Sequence, residues 1–149
     1  MIELVYVSRS KSRLVQEELL QLLQQCRRNN QRSQISGLLL YDSYGTFIQA
    51  LEGPEEAVDT LFMHIQKDPR HDHIHVLGKR AISAKSFADW KMGFRTLSPE
   101  LIGQIDGFSD FLLHNQQNSR DISEAGFAFQ VLDYFRSKSS HETENGQEF

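Results

Sequence analysis

Over its first hundred residues this chain switches repeatedly between a two-residue and a 3.6-residue apolar period, and the order of the switches leaves few folds open. Residues 2–8 alternate, with Ile2, Leu4, Tyr6 and Ser8 on one face of a strand. After a basic, serine-rich turn, residues 14–29 place Leu19, Leu20, Leu22, Leu23 and Cys26 on one broad side of a helix that ends near Asn29-Asn30. The near-continuous apolar run of residues 35–41 suits a central strand. The short turn Asp42-Ser43-Tyr44-Gly45, with its late glycine, sends residues 46–52 back as the second arm of a hairpin, where Gln49 shares a face with Phe47 and Leu51. Pro54, followed by Glu55, Glu56 and Asp59, opens a second helix with the stripe Val58, Leu61, Phe62 and Ile65, and Asp68-Pro69 stops it around Lys67. Arg70-His71 then opens a loop. Residues 73–82 alternate as an edge strand, with Ile74, Val76 and Gly78 opposing His73, His75 and Leu77. Last, residues 90–94 set Trp90, Met92 and Phe94 on one side of a final strand.

The order βαββαββ predicts an α+β, ferredoxin-like sandwich with two helices on one face of a mixed sheet, spanning residues 1–97. Short helices are expected over residues 98–137, where Phe127, Val131, Leu132, Tyr134 and Phe135 are too apolar for a free tail and should dock on the sheet's open face or on another subunit. Residues 138–149 are polar and charged and read as disordered. The 149 residues fit one domain, and 39% apolar with 24% charged residues is the balance of a water-soluble globule with a real core. A net charge of −4 without a basic stripe argues against nucleic acid, and no apolar run reaches bilayer length. One cysteine, Cys26, can form no internal disulfide and leaves no zinc cluster, so a cytoplasmic, reducing location is expected.

Two polar groups on apolar strands point to function. The Tyr6 phenol and the Gln49 carboxamide face one interior space, where each needs a hydrogen-bond partner, so that space is expected to take a ligand both flat and polar. Taken singly, Tyr6 is a core tyrosine with its hydroxyl at the rim, Asn30 a helix-end residue, and Trp90 and Met92 core packing. His73 and His75 share a strand face, yet no third metal ligand stands nearby in sequence.

Several segments, in order and spacing, carry a family resemblance: the strand with Tyr6, Arg28-Asn29-Asn30, Ile35-Ser36-Gly37-Leu38-Leu39, Phe47 to Gly53, Asp68-Pro69-Arg70-His71, and Phe87 to Met92. Through them residues 1–97 resemble the BLUF family of blue-light-using-flavin domains, and the tail resembles that of its short, single-domain members. The resemblance implies a photoreceptor rather than an enzyme. It implies non-covalent FAD, with FMN or riboflavin as alternatives, held between the two helices. Leu22, Leu23, Ile65 and their neighbours would sandwich the ring, while Asn30, Gln49, Arg70 and His71 meet its polar edge and His64 stands near the other. Cys26 occupies a position where some relatives carry serine. Photochemistry would run through Tyr6 and Gln49, and the signal would pass through the strand bearing Trp90 and Met92 to the following helices, then to an unidentified signalling partner, within a homo-oligomer. Two other readings are a flavin-free interaction module of the same fold and an acylphosphatase-like hydrolase; for the second, the turn carrying Arg9 and Arg13 lacks the glycines of an anion cradle.

Overall fold

A computed structural model describes residues 1–11, 15–42, 45–85, 92–97 and 100. Its elements are β1 (Ile2–Ser10), α1 (Gln16–Ser33), β2 (Ser36–Tyr41), β3 (Thr46–Gly53), α2 (Glu55–Gln66), β4 (His71–Ala81) and β5 (Gly93–Thr96). The sheet runs β4-β1-β3-β2-β5, with β1 antiparallel to both β3 and β4, β2 antiparallel to β3, and β5 parallel to β2. Each helix therefore joins two parallel strands with a third inserted between them: β1-α1-β2 spans β3, and β3-α2-β4 spans β1. These interleaved units make the ferredoxin-like α+β fold that the apolar periods predicted.

Both helices pack on one sheet face. Ile2, Leu4, Tyr6, Leu39, Tyr41, Phe47 and Leu51 meet Leu23 of α1 and Val58 and Phe62 of α2 in a single core, which Met92 and Phe94 close at the β5 edge. The opposite face of the central strands, with Val5, Val7, Leu38, Leu40, Ile48 and Ala50, is buried as well, which is why β2 reads as a near-continuous apolar run rather than an alternating one. Gly37 is required where these two strands meet, because a Cβ there would lie 2.0 Å from the Ala50 carbonyl oxygen. At the hairpin, the Thr46 amide donates to Asp42 Oδ1 at 2.9 Å, and Gly45 takes φ 121°, a value open to glycine.

Several local readings are corrected. Helix α1 continues one turn beyond Asn29-Asn30, because the left-handed exit is made by Gln34 at φ 60°, whose amide bonds the Asn30 carbonyl; Asn30 thus sits inside the last turn. Leu20 lies outside the packed stripe and is 37% exposed. In β4, His71 is the first strand residue rather than part of a loop, and register shifts against β1 at Val5/Tyr6 and Val7/Arg9 limit regular alternation to residues 74–77. Past the first shift Gly78 pairs with Val5 and joins the face away from the helices, parting from Ile74 and Val76. The same shift turns Lys79 toward α2, where it pairs with Asp59 at 3.0 Å, and Arg80 toward the buried Glu3, at 2.9 Å. β5 starts later than expected, at Gly93. Trp90, the helices expected over residues 98–137 and the tail from 138 lie outside the described residues.

Candidate functional site

The register of β1 against β3 sets Tyr6 directly opposite Gln49, with Leu39 of β2 next in the same row. All three side chains face the helices from the centre of the sheet and are buried. The Tyr6 hydroxyl donates to Gln49 Oε1, and Gln49 Nε2 donates to the Met92 sulfur at 3.3 Å. A thioether can only accept, so the sulfur fixes which end of the carboxamide carries the hydrogens. Burial, with smaller contributions from nearby Cys26 and Asp68, raises the Tyr6 phenol well above the ordinary tyrosine range, so the hydroxyl keeps its proton at physiological pH.

Two more rings pack around this pair, one from α2 and one from β4. Phe62 lies against Tyr6 with centroids 5.3 Å apart, and His71 meets it edge-on at 6.4 Å. The His71 ring bridges β1 and α2: Nε2 contacts the Ile65 carbonyl at 2.7 Å and Nδ1 contacts Ser8 Oγ at 2.9 Å. Since a carbonyl only accepts, Nε2 carries a proton and donates, and in the neutral ring Nδ1 accepts from the serine hydroxyl.

Above the pair, the space between α1 and α2 is a cleft of about 830 Å³ counted with its open mouth. Leu22 and Cys26 of α1 face Leu61 and Ile65 of α2 across it, and Leu39, Phe47, Tyr6 and Gln49 form the floor. Polar groups gather along its length: Gln25, Asn29 and Asn30 on α1, His64 on α2, and Asp68, Arg70 and His71 between α2 and β4. At the mouth Arg70 Nε donates to both Asp68 oxygens, at 2.9 and 3.0 Å, and its Nη2 reaches Gln25 Oε1 at 3.4 Å, tying the α2–β4 connection to α1. The guanidinium holds the Asp68 carboxyl below the usual aspartate range. Burial pushes the Cys26 thiol up to about 11, so it stays a neutral thiol.

Of the residues expected from sequence, Tyr6, Leu22, Cys26, Asn30, Gln49, His64, Ile65, Arg70 and His71 all line this cleft. Leu23 does not: one position along the helix turns it from the cleft wall into the core, where it is fully buried. Met92 stands behind Gln49. Gln25, Asn29, Leu39, Phe47, Leu61 and Asp68 were not singled out. Gln25 and Asn29 had a signal, since 22, 25, 26, 29 and 30 form one helical stripe; Leu39 depends on strand register, which residue pattern alone does not set. Among the described residues no group of three or more His, Cys, Asp or Glu could hold a metal ion.

An apolar slot with amides, an imidazole and a guanidinium along its edges suits a flat heteroaromatic ring bearing carbonyls and a ring N–H. Comparison with known proteins agrees with that chemistry. The family described as BLUF, sensors of blue-light using FAD, matches residues 1–93. The photoactivated adenylate cyclase subunit beta of Euglena longa is 31% identical over 110 residues, 73% of this chain and 12% of that protein. The blue light- and temperature-regulated antirepressor BluF of Escherichia coli K12 is 45% identical over 47 residues, 32% of this chain and 11% of that protein. The chain thus spans about an eighth of the length of the first of these relatives and a ninth of the second. Among solved structures, the dark state of the BLUF protein BlrB superposes with TM-score 0.65 at 29% identity, covering 78% of this chain and 89% of that one. The ground state of BlsA gives 0.65 at 29% identity, covering 92% and 85%. By its sequence and its fold, the chain belongs to the BLUF family of blue-light sensors that use a flavin.

Proposed function

We propose that this chain is a blue-light photoreceptor that holds FAD non-covalently between α1 and α2 and signals by rearranging the hydrogen bonds of Tyr6 and Gln49. The observation that carries this reading is the buried chain of contacts at the cleft floor, from the Tyr6 hydroxyl through the Gln49 carboxamide to the Met92 sulfur beside β5. Leu22, Leu61 and Ile65 would flank the ring, while Asn30, Gln49, Arg70 and His71 would satisfy its polar edge. His64 and Cys26 complete the wall. FMN or riboflavin would satisfy the same contacts, because these residues address the ring rather than an adenine.

Bound flavin supplies a blue-absorbing ring that becomes a strong oxidant when excited. The protein supplies the rest. Tyr6 offers an oxidisable phenol whose proton already points at the carboxamide oxygen, so electron loss from the phenol and proton release to Gln49 proceed together. Gln49 turns, or exchanges tautomer, as the electron and the proton return to Tyr6, so that the phenol is restored while Nε2 has left the Met92 sulfur. One net hydrogen bond is worth about 1 kcal/mol, enough for a several-fold change in a neighbouring equilibrium. Met92 immediately precedes β5, a four-residue edge strand paired with β2, and so stands where a small change reaches a weakly held element. The output would pass through the segment bearing Trp90 and Met92, and the chain beyond it, to a separate signalling protein, in an assembly of more than one copy. Several relatives carry the light-sensing region within photoactivated adenylate cyclases, which supports coupling to an effector. Illumination of flavin-loaded Tyr6→Phe and Gln49→Leu proteins tests the reading: both retain the yellow colour and neither reaches the red-shifted state. Full photoconversion of Gln49→Leu contradicts it.

A further inference from the structure

Met92 is held from two sides. Its sulfur accepts from Gln49 Nε2, while its main-chain oxygen accepts from Arg27 twice, from Nε at 3.1 Å and Nη2 at 2.9 Å. Arg27 lies on α1 between Cys26, which lines the cleft, and Arg28, which is exposed, and it is not itself a lining residue. It is half-buried, and the loss of water lowers its pKa. Among the described residues it forms no ion pair with a carboxylate; its charge is directed at a neutral carbonyl instead. A planar guanidinium giving two donors to one oxygen fixes both the distance and the direction of the residue that bears it. Met92 needs such fixing. Its side chain is unbranched and flexible, and Met92 itself lies just outside the strand ladder, so the ladder's hydrogen bonds do not fix its main chain.

We propose that Arg27 is a positioning residue for the light-sensing network: it clamps the Met92 main chain to α1 and thereby holds the sulfur at the Gln49 carboxamide in the dark orientation. Its functional half rests on the photoreceptor reading above; its geometric half does not. The clamp joins the wall of the cleft to the start of β5 through a residue that touches neither the ring's space nor Gln49. In the dark it stabilises the orientation in which Nε2 faces the sulfur. After illumination it keeps the acceptor waiting in place, so the carboxamide returns to a formed site rather than to a mobile side chain. Loss of the clamp therefore slows thermal recovery.

The test uses the full chain with bound flavin, carrying isotope-labelled methionine methyl groups, as wild type, Arg27→Gln and Arg27→Lys; Met92→Leu assigns the Met92 signal among the three methionines. In the dark, wild type shows a magnetisation-transfer cross-peak between the Met92 methyl and the Gln49 carboxamide protons. Arg27→Gln loses it while keeping the flavin spectrum and the dispersion of a folded protein, and Arg27→Lys weakens it. After blue light Arg27→Gln recovers more slowly by roughly threefold or more, the scale of one lost hydrogen bond, with Arg27→Lys between. A purely structural arginine would move the melting point without moving recovery. Retention of the cross-peak in Arg27→Gln, or its loss with wild-type recovery, overturns the proposal. A wild-type protein that shows no photoconversion contradicts the photoreceptor reading instead, and the dark cross-peak still decides whether Arg27 fixes Met92.

Discussion

Tyr6 and Cys26 face the same cleft, and burial acts on both in the same direction, keeping each one protonated. For Tyr6 the sign follows from linkage: a phenol raised above its unfolded value near pH 10 adds stability that is complete below that pH and is lost as pH rises through the folded value. Tyr6 tyrosinate absorbance should therefore appear only as the protein unfolds at high pH; its titration near pH 10 in the folded protein would contradict the burial described. Cys26, pushed up to about 11, is a neutral thiol at pH 7 and a weak nucleophile. Iodoacetamide should label it slowly at pH 7, with the rate climbing toward pH 11, and Cys26→Ala should alter colour or recovery without abolishing photoconversion. Loss of all photochemistry in Cys26→Ala would point to a cysteinyl adduct. At the mouth the sign reverses. Arg70 depresses the Asp68 pKa, so the contribution of that ion pair is present above about pH 4, the unfolded aspartate value, and is lost as pH falls through the folded one. Flavin affinity measured from pH 7 down should stay level to about pH 5 and fall below about 4 if Arg70 then leaves Asp68.

At the scale of elements, the β2–β3 junction is the least forgiving place in the sheet. Gly37→Ala would drive a methyl into the Ala50 main chain, atoms that cannot step aside without breaking the ladder. A cost of about 3 kcal/mol is expected, lowering the melting temperature by roughly 10 °C, and calorimetry of the flavin-loaded protein measures it. The neighbouring Ser36→Ala, which leaves the close approach untouched, should shift it far less. Elements with a clean period were legible in the residues: β1, the β2–β3 hairpin and α2 fall within two residues of expectation, since their apolar faces are set by alternation or by helical spacing. The exceptions have physical causes. Asn29-Asn30 carries the mark of a helix end, yet Gln34 adopts the left-handed exit and carries α1 further. In β4 the two register shifts leave no trace in composition, and they decide that Lys79 faces α2 while Arg80 faces Glu3. The cleft divides in the same way: α1 residues follow from helical spacing, whereas Leu39 and Phe47 enter through strand register. The Arg27 contact with Met92 joins groups 65 positions apart and had no local signal.

For the molecule as a whole, the fold explains why one cleft can be both specific and connected. Two helices rest on one sheet face with the cleft between them, and the Tyr6–Gln49–Leu39 row crosses the sheet beneath it toward Phe94 on the β5 edge. A change at the central strands therefore has a short path to an edge. Among the described residues no helix is long and apolar enough to cross a membrane. The most direct measurement is the absorption spectrum of the purified, flavin-loaded chain before, during and after blue illumination. The account predicts a flavin band that moves to the red in the light and returns in darkness, with both movements absent in Gln49→Leu. A protein that binds flavin tightly and keeps an unchanged spectrum under blue light would contradict it.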